Sequence, residues 1–166
     1  RCLDVEDSTT LTQDEALLEA ERCMDCGCYS VNASDLSPVM VALDATLVTT
    51  KKKISARDFF TTKLKAVDML DPDEIVTEID IPVPDADEMH YDKFRLRNSV
   101  DFAMVSLASL IKAENGIIEN ASLVLGGVAP VPMKRKAAED FLIGKRPTAE
   151  NAETAADIAL EGAHPF

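Results

Sequence analysis

Basic residues are scarce in this chain: 17 Lys and Arg stand against 30 Asp and Glu, a formal net charge of -13. That deficit argues against nucleic acid and anionic membranes as partners, because both need phosphate charge neutralised by Lys and Arg. Long apolar runs are missing too. No stretch of about 18 apolar residues exists and Arg1 opens no signal-peptide pattern, so neither a membrane span nor secretion is expected, and a cytoplasmic location is the default. Histidine is limited to His90 and His164, isolated from each other, so no metal-binding pair and no nucleophile–base couple can be named. Cysteine is absent after Cys28, which argues against a disulfide framework. What remains, 46% apolar and 28% charged over 166 residues, is the composition of a soluble globular protein of one or two domains.

The strongest local signal lies between Tyr91 and Val128. Two apolar, β-prone runs, Phe102 to Ala113 and Ile117 to Leu125, flank Glu114-Asn115-Gly116. Asn-Gly supplies the two positive-φ residues of a tight hairpin turn. Before it, Lys93, Arg95 and Arg97 alternate with Phe94 and Leu96, the period-2 pattern of a strand with a polar face and a buried face. Three cations then point one way on an acidic protein. They form either a seat for an anionic ligand or a solvated face paired with neighbouring acids.

Upstream, Thr12 and Glu15 form a capping box that opens a helix ending near Gly27. Ser34 to Pro38 is turn chemistry leading into a short helix through Leu43, and Thr46–Thr50 with Lys53–Ala56 reads as a strand pair around a Lys-rich turn. Arg57 to Phe60 reads as a short helix or turn, and Asp71-Pro72-Asp73 as a turn. From Ile75 the pattern alternates, with Ile75, Thr77, Ile79 and Ile81 on one face and Val76, Glu78 and Asp80 on a wet one, until Pro82 and Pro84 stop the strand. The acidic stretches Asp71–Glu74 and Asp85–Glu88 lack an ordered ligand spacing for a hard cation and read as solvated loops. Lys134–Leu142, closed by Gly144, and a second helix from Thr148 through Glu161 form a helical tail. Strands followed by helices indicate an α+β fold: a mainly antiparallel sheet of three to four strands with helices packed on one face.

Five landmarks occur in order: D-F-F at Asp58, D-E-I-V-T-E-I-D-I-P at Asp73, Y-D-K-F-R-L-R at Tyr91, D-F-A-M-V-S-L-A at Asp101 and L-G-G-V-A-P-V-P at Leu125. On them, Asp58 to Gly144 resembles the C-terminal domain of the flavoprotein subunit of molybdenum hydroxylases. That family includes the medium subunit of carbon monoxide dehydrogenase and the flavin domain of xanthine dehydrogenase. Asn32 to Pro38, followed by V-A-L-D-A, is similar to the closing segment of the family's FAD-binding domain. The resemblance implies FAD as cofactor, with Asp35, Val76 and Lys93 near it. Lys93 fits because a fixed ammonium on a rigid strand stabilises negative charge on a reduced flavin or its phosphates. Asp35 suits either ribityl hydroxyls or a cap on the following helix, and Val76 acts by shape or is plain core. The family's Gly-rich pyrophosphate cradle has no counterpart here, the only Gly pair being Gly126-Gly127. The implied organisation is a Cys-bearing helical segment at 1–30, the end of a FAD-binding domain at 31–56, and a flavoprotein C-terminal-like domain at 57–166.

Cys23, Cys26 and Cys28 form C-x2-C-x-C, a spacing at which three thiolates can converge on one cation if Gly27 lets the chain turn back, and Cys2 is a candidate fourth ligand. Such thiolates suit an iron-sulfur cluster or zinc; reduced thiols without metal are the third reading. The E-A-x-R-C-x-x-C-G element also resembles the iron-sulfur domain of glutamate synthase small-subunit relatives. The expected function is therefore part of a multi-centre oxidoreductase, placing FAD for electron transfer between iron-sulfur centres and a soluble acceptor such as NAD. Its expected partners are other oxidoreductase subunits or domains, iron-sulfur and molybdenum-binding or glutamate-synthase-like, and a homo-oligomer is compatible. The alternative is a docking or dimerisation module that keeps the fold without flavin.

Overall fold

Asn115 and Gly116 adopt φ of 53° and 76°, the paired positive angles of a two-residue hairpin turn whose twist matches that of its strands. They join two long strands in a computed structural model that describes residues 35–60, 69–96 and 103–163. The four cysteines, the helix expected after Thr12, Arg97 and His164 lie outside the described residues.

The larger sheet contains β4 (Glu88–Phe94), β5 (Val105–Glu114), β6 (Ile117–Gly126) and the short β7 (Met133–Lys134), antiparallel and in that order. Period-2 alternation gives it two apolar faces. Ala108 and Val124 face α1 (Leu36–Ala42) and share a core with Met40 and Val41. Ile118 and Leu123 face the opposite way, onto α3 (Lys136–Leu142) and α4 (Ala149–Leu160). Gly144, at φ 81°, turns the chain after α3, and the Thr148 hydroxyl caps α4 by accepting from the Asn151 amide at 3.3 Å.

A second, three-stranded antiparallel sheet has the order β2-β1-β3, from β1 (Thr46–Thr49), β2 (Lys53–Ser55) and β3 (Val76–Asp80), with the single-turn α2 (Ala56–Phe59) after β2. Its buried residue Leu47, together with Phe59 and Phe60, joins the core beneath α1. The expected α+β class is the observed one, with antiparallel sheets and α3 and α4 together on one face of the larger sheet. The short helix α1 covers that sheet's other face. Among the described residues no helix is long and apolar enough to cross a membrane.

Two face assignments differ from the alternation read in the sequence. In β3, Val48 pairs with Glu78 but Thr49 pairs with Val76, which leaves Thr77 as an extra bulge residue. A bulge reverses side-chain parity, so Val76 lies on the face of Leu47 and Ile79, packed against the core, while Ile75 is 64% exposed. At the end of β4 and just past it, the residues read as buried are the outer ones: Phe94 is 62% and Leu96 77% exposed, and Tyr91 and Lys93 turn inward. Helix α1 packs on the side of Tyr91 and Lys93, while the outer face of β4 carries Glu88, His90 and Asp92 beside Phe94.

Candidate functional site

Tyr91 and Lys93 stand two residues apart on β4 and therefore on one face, opposite Ala108 and Ser106 of β5. That face lies under the start of α1, where Asp35 occupies the N-cap position. The Asp35 side chain makes no capping hydrogen bond. Its carboxylate instead accepts from the Tyr91 hydroxyl at 2.7 Å on one oxygen and from the Lys93 ammonium at 2.6 Å on the other. Two of the expected site residues, 58 positions apart in sequence, are thus directly bonded. The Lys93 side chain is 17% exposed, so its charge is held in a partly desolvated position with one carboxylate partner, Asp35, among the described residues.

The approach of α1 to the sheet depends on a missing side chain. A Cβ at Gly126 would run into the Ser106 hydroxyl and lie 3.1 Å from Cγ of Pro38. Glycine here lets Pro38, completely buried in α1, sit against the end of β6 and so bring Asp35 over Lys93.

The electrostatics follow from these contacts. Partial burial alone would raise the Asp35 pKa, but the hydrogen bonds from Lys93 and Tyr91, with the positive charges of Lys93 and Arg95, outweigh it and hold the carboxyl below its ordinary 3.8. Tyr91 is pushed up to about 12, first by burial and then by the Asp35 carboxylate, against the opposing effect of a hydrogen bond from Ser106. The constellation is an ionised carboxylate, an ammonium and a neutral phenol in mutual contact. It offers both an acceptor and donors to a polar ligand edge.

Of the other expected residues, Val76 packs against the same apolar cluster as Tyr91 but outside the polar constellation. Arg95 lies just past the end of β4 and acts on Asp35 through its charge. Cys2, Cys23, Cys26 and Cys28 lie outside the described residues, and among the described residues no group of three or more His, Cys, Asp or Glu is placed to hold a metal ion. Tyr91 and Ser106 were missed. The signal that finds Tyr91 is its i, i+2 spacing to Lys93 on a strand.

Glu74, expected in a solvated loop, is buried. Its carboxylate accepts from the Thr49 hydroxyl and, at 3.0 Å, from the Asp71 amide, and pairs with the Lys52 ammonium at 3.0 Å. Burial raises its pKa, but those three partners override the effect and bring it to about 2. Glu74 thereby pins the β1–β2 turn to the entry of β3, two residues before Val76.

Residues 89–166 match the family model described as the CO dehydrogenase flavoprotein C-terminal domain, and residues 28–84 match that of the FAD binding domain in molybdopterin dehydrogenase. The glyceraldehyde dehydrogenase medium chain of Sulfolobus acidocaldarius is 34% identical over 118 residues, covering 69% of this chain and 41% of that protein. The aldehyde oxidoreductase FAD-binding subunit of Escherichia coli is 29% identical over 146 residues, covering 83% and 43% respectively. Quinoline 2-oxidoreductase from Pseudomonas putida 86 superposes with a TM-score of 0.75 at 27% identity, covering 84% of this chain and 49% of that one. Carbon monoxide dehydrogenase from Hydrogenophaga pseudoflava shares the fold, with a TM-score of 0.74 at 24% identity over 86% and 50% of the two chains. This chain spans less than half the length of these curated relatives. Asp35 falls in the segment matched by the FAD-binding model, and Lys93 and Tyr91 in the segment matched by the C-terminal model.

Proposed function

We infer that this chain belongs to the FAD-binding flavoprotein components of molybdenum hydroxylases and supplies the part of the flavin site made by Asp35 and Lys93. The single observation behind this reading is the contact between the two. Two of the three residues that the family resemblance assigns to the cofactor, far apart in sequence, lie in one polar constellation where the two matched segments meet.

The residues fit the polar part of such a cofactor by the chemistry of their donor set. A carboxylate accepts and an ammonium donates, so Asp35 and Lys93 together meet a ligand edge carrying both N–H or O–H and C=O groups. Bound FAD supplies one- and two-electron transfer. The chain's own part is to hold Lys93 in place with its positive charge, to keep Asp35 ionised through its two donors, and to keep Tyr91 protonated as the group that orients Asp35. Val76, packed against the same apolar cluster as Tyr91, offers shape and not charge.

In the full-length flavoprotein, Lys93→Met should weaken flavin binding by about tenfold or more, the loss of one charge-assisted hydrogen bond. It should also lower the flavin reduction potential, because a cation near the cofactor favours the electron-rich form. Fluorescence titration and potentiometry measure the two effects. Unchanged affinity together with unchanged potential would refute the assignment. The wider reading, electron transfer between iron-sulfur centres and a soluble acceptor alongside iron-sulfur and molybdenum-binding partners, includes a thiolate centre on Cys23, Cys26 and Cys28 with Cys2. Iron and sulfide analysis of protein purified without oxygen decides between a cluster, zinc and free thiols.

A further inference from the structure

A cleft of about 710 Å³ opens on the side of the larger sheet that carries α1, lined on β5 by Leu110 and Lys112. These lie four and six residues along the strand from Ser106, so the cleft is separate from the Asp35–Lys93 constellation. Its walls hold four cations, Arg57, Lys112, Lys134 and Lys136, on a chain whose net charge is -13. A cationic concavity on an acidic protein focuses the field on anions.

The four cations differ in what they already hold. Lys112 is satisfied by both oxygens of Asp85 at 2.8 and 2.9 Å, and Lys136 is paired with Asp140 one turn along α3. Lys134 is different. Its side chain is only 20% exposed, yet among the described residues the one carboxylate within reach is Asp44, at 3.9 Å, too far for a hydrogen bond. Arg57 reaches the same Asp44 oxygen at 3.5 Å, the outer limit of such a bond. One exposed carboxylate, 67% accessible, thus faces two cations at the edge of contact. The third carboxylate in the wall, Glu139, is engaged by the Leu123 amide at 2.8 Å. A partly desolvated ammonium that has no hydrogen-bond acceptor among the described residues is open to an acceptor supplied by a ligand.

We propose that this cleft is a binding site for a small molecule carrying a phosphate or carboxylate group, with Lys134 and Arg57 as its direct ligands. The guanidinium offers a fork matched to such a group and the ammonium a point charge beside it. Asp44 stands in for the anion when the cleft is empty and competes with it when the ligand enters. The proposal does not depend on the flavin reading, because none of these residues belongs to that constellation.

Isothermal titration calorimetry of the full chain at about 0.15 M ionic strength, where exposed charges are screened, tests it with inorganic phosphate and with citrate as probes. Saturable 1:1 binding of either is expected. Lys134→Met should weaken it by about tenfold or more, as expected for a charge-assisted contact. Asp44→Asn should tighten it several-fold by removing the competitor, and Lys136→Met, whose ammonium already holds Asp140, should leave it unchanged. No saturable binding of either probe, in the wild-type chain and in Asp44→Asn alike, overturns the proposal. So does a folded Lys134→Met that binds as well as wild type. Should circular dichroism show Lys134→Met unfolded, the Asp44→Asn comparison decides alone.

Discussion

At Gly126 an added methyl group would press on both the sheet, at Ser106, and α1, at Pro38. Ser106 is buried and Pro38 is rigid, so neither neighbour moves away cheaply from an added Cβ. Gly126→Ala should destabilise the chain by about 1–3 kcal/mol, the usual cost of overpacking a close contact. It should also loosen the Asp35–Lys93 bond. The Asp35 carboxyl would then titrate nearer its ordinary 3.8, which NMR of the side-chain carboxyl resonances reports. Tyr91 is held protonated by burial and by the Asp35 carboxylate up to about 12, against an ordinary 10.0. A raised folded-state value favours the neutral phenol in the native form. The stabilisation is therefore complete below pH 10 and lost as pH rises toward 12. Tyr91→Phe should remove that alkaline dependence, as followed by thermal melts across the interval; equal alkaline slopes in the two proteins would show the phenol to be unperturbed.

The elements differ in how much of them the sequence shows, and the difference lies in the range over which each is decided. The turn of the β5–β6 hairpin is decided by two adjacent residues, Asn115 and Gly116, with their paired positive φ, while the shift between Lys112 and Ala113 that leaves Glu119 as an extra residue appears only once the strands are paired. The caps at Thr148 and Gly144 are equally local. β3 is decided by its partner. The extra residue at Thr77 appears only when β1 is laid against it, and no alternation rule within Glu74–Ile81 reveals it. Glu74 looks like the third acid of a solvated loop until the Thr49 hydroxyl, 25 residues away, is brought to it. The candidate site follows the same division. Asp35 and Lys93 were identifiable one at a time from motif resemblance, whereas their bond, and the parts played by Tyr91 and Ser106, depend on the packing of α1 on the sheet. Thr49→Val tests the clamp at the scale of the element. It keeps the shape of a β-branched residue but leaves the buried Glu74 oxygen without its donor. The expected loss is about 1–3 kcal/mol, with hydrogen exchange quickening at β1 and β3 more than at β5 and β6. Equal protection in both sheets would mean that the clamp does not hold the small sheet separately.

Across the whole molecule, the two sheets are joined through the core under α1, and ionised carboxylates fasten parts on either side of it. Glu74 has a folded-state pKa of about 2 against an ordinary 4.5, and Asp35 lies below its ordinary 3.8. Depressed values mean that each group stabilises the native state fully above its ordinary pKa and ceases to do so as pH falls through its folded value. Glu74 ties the turn of the small sheet to β3, and Asp35 ties α1 to β4. The β5–β6 pair rests mainly on main-chain hydrogen bonds and on the apolar cluster that Ile118 and Leu123 share with α3 and α4. Acidification should therefore unravel the molecule in order. Amides of β1 and β3 should lose protection first as pH drops from 4.5 toward 2, the contact of α1 with β4 should loosen below 3.8, and β5–β6 should persist longest. Hydrogen exchange measured residue by residue along an acid titration reads this order directly. A single concerted loss of protection in both sheets would show that the apolar core, and not these carboxylates, sets the acid limit of the fold.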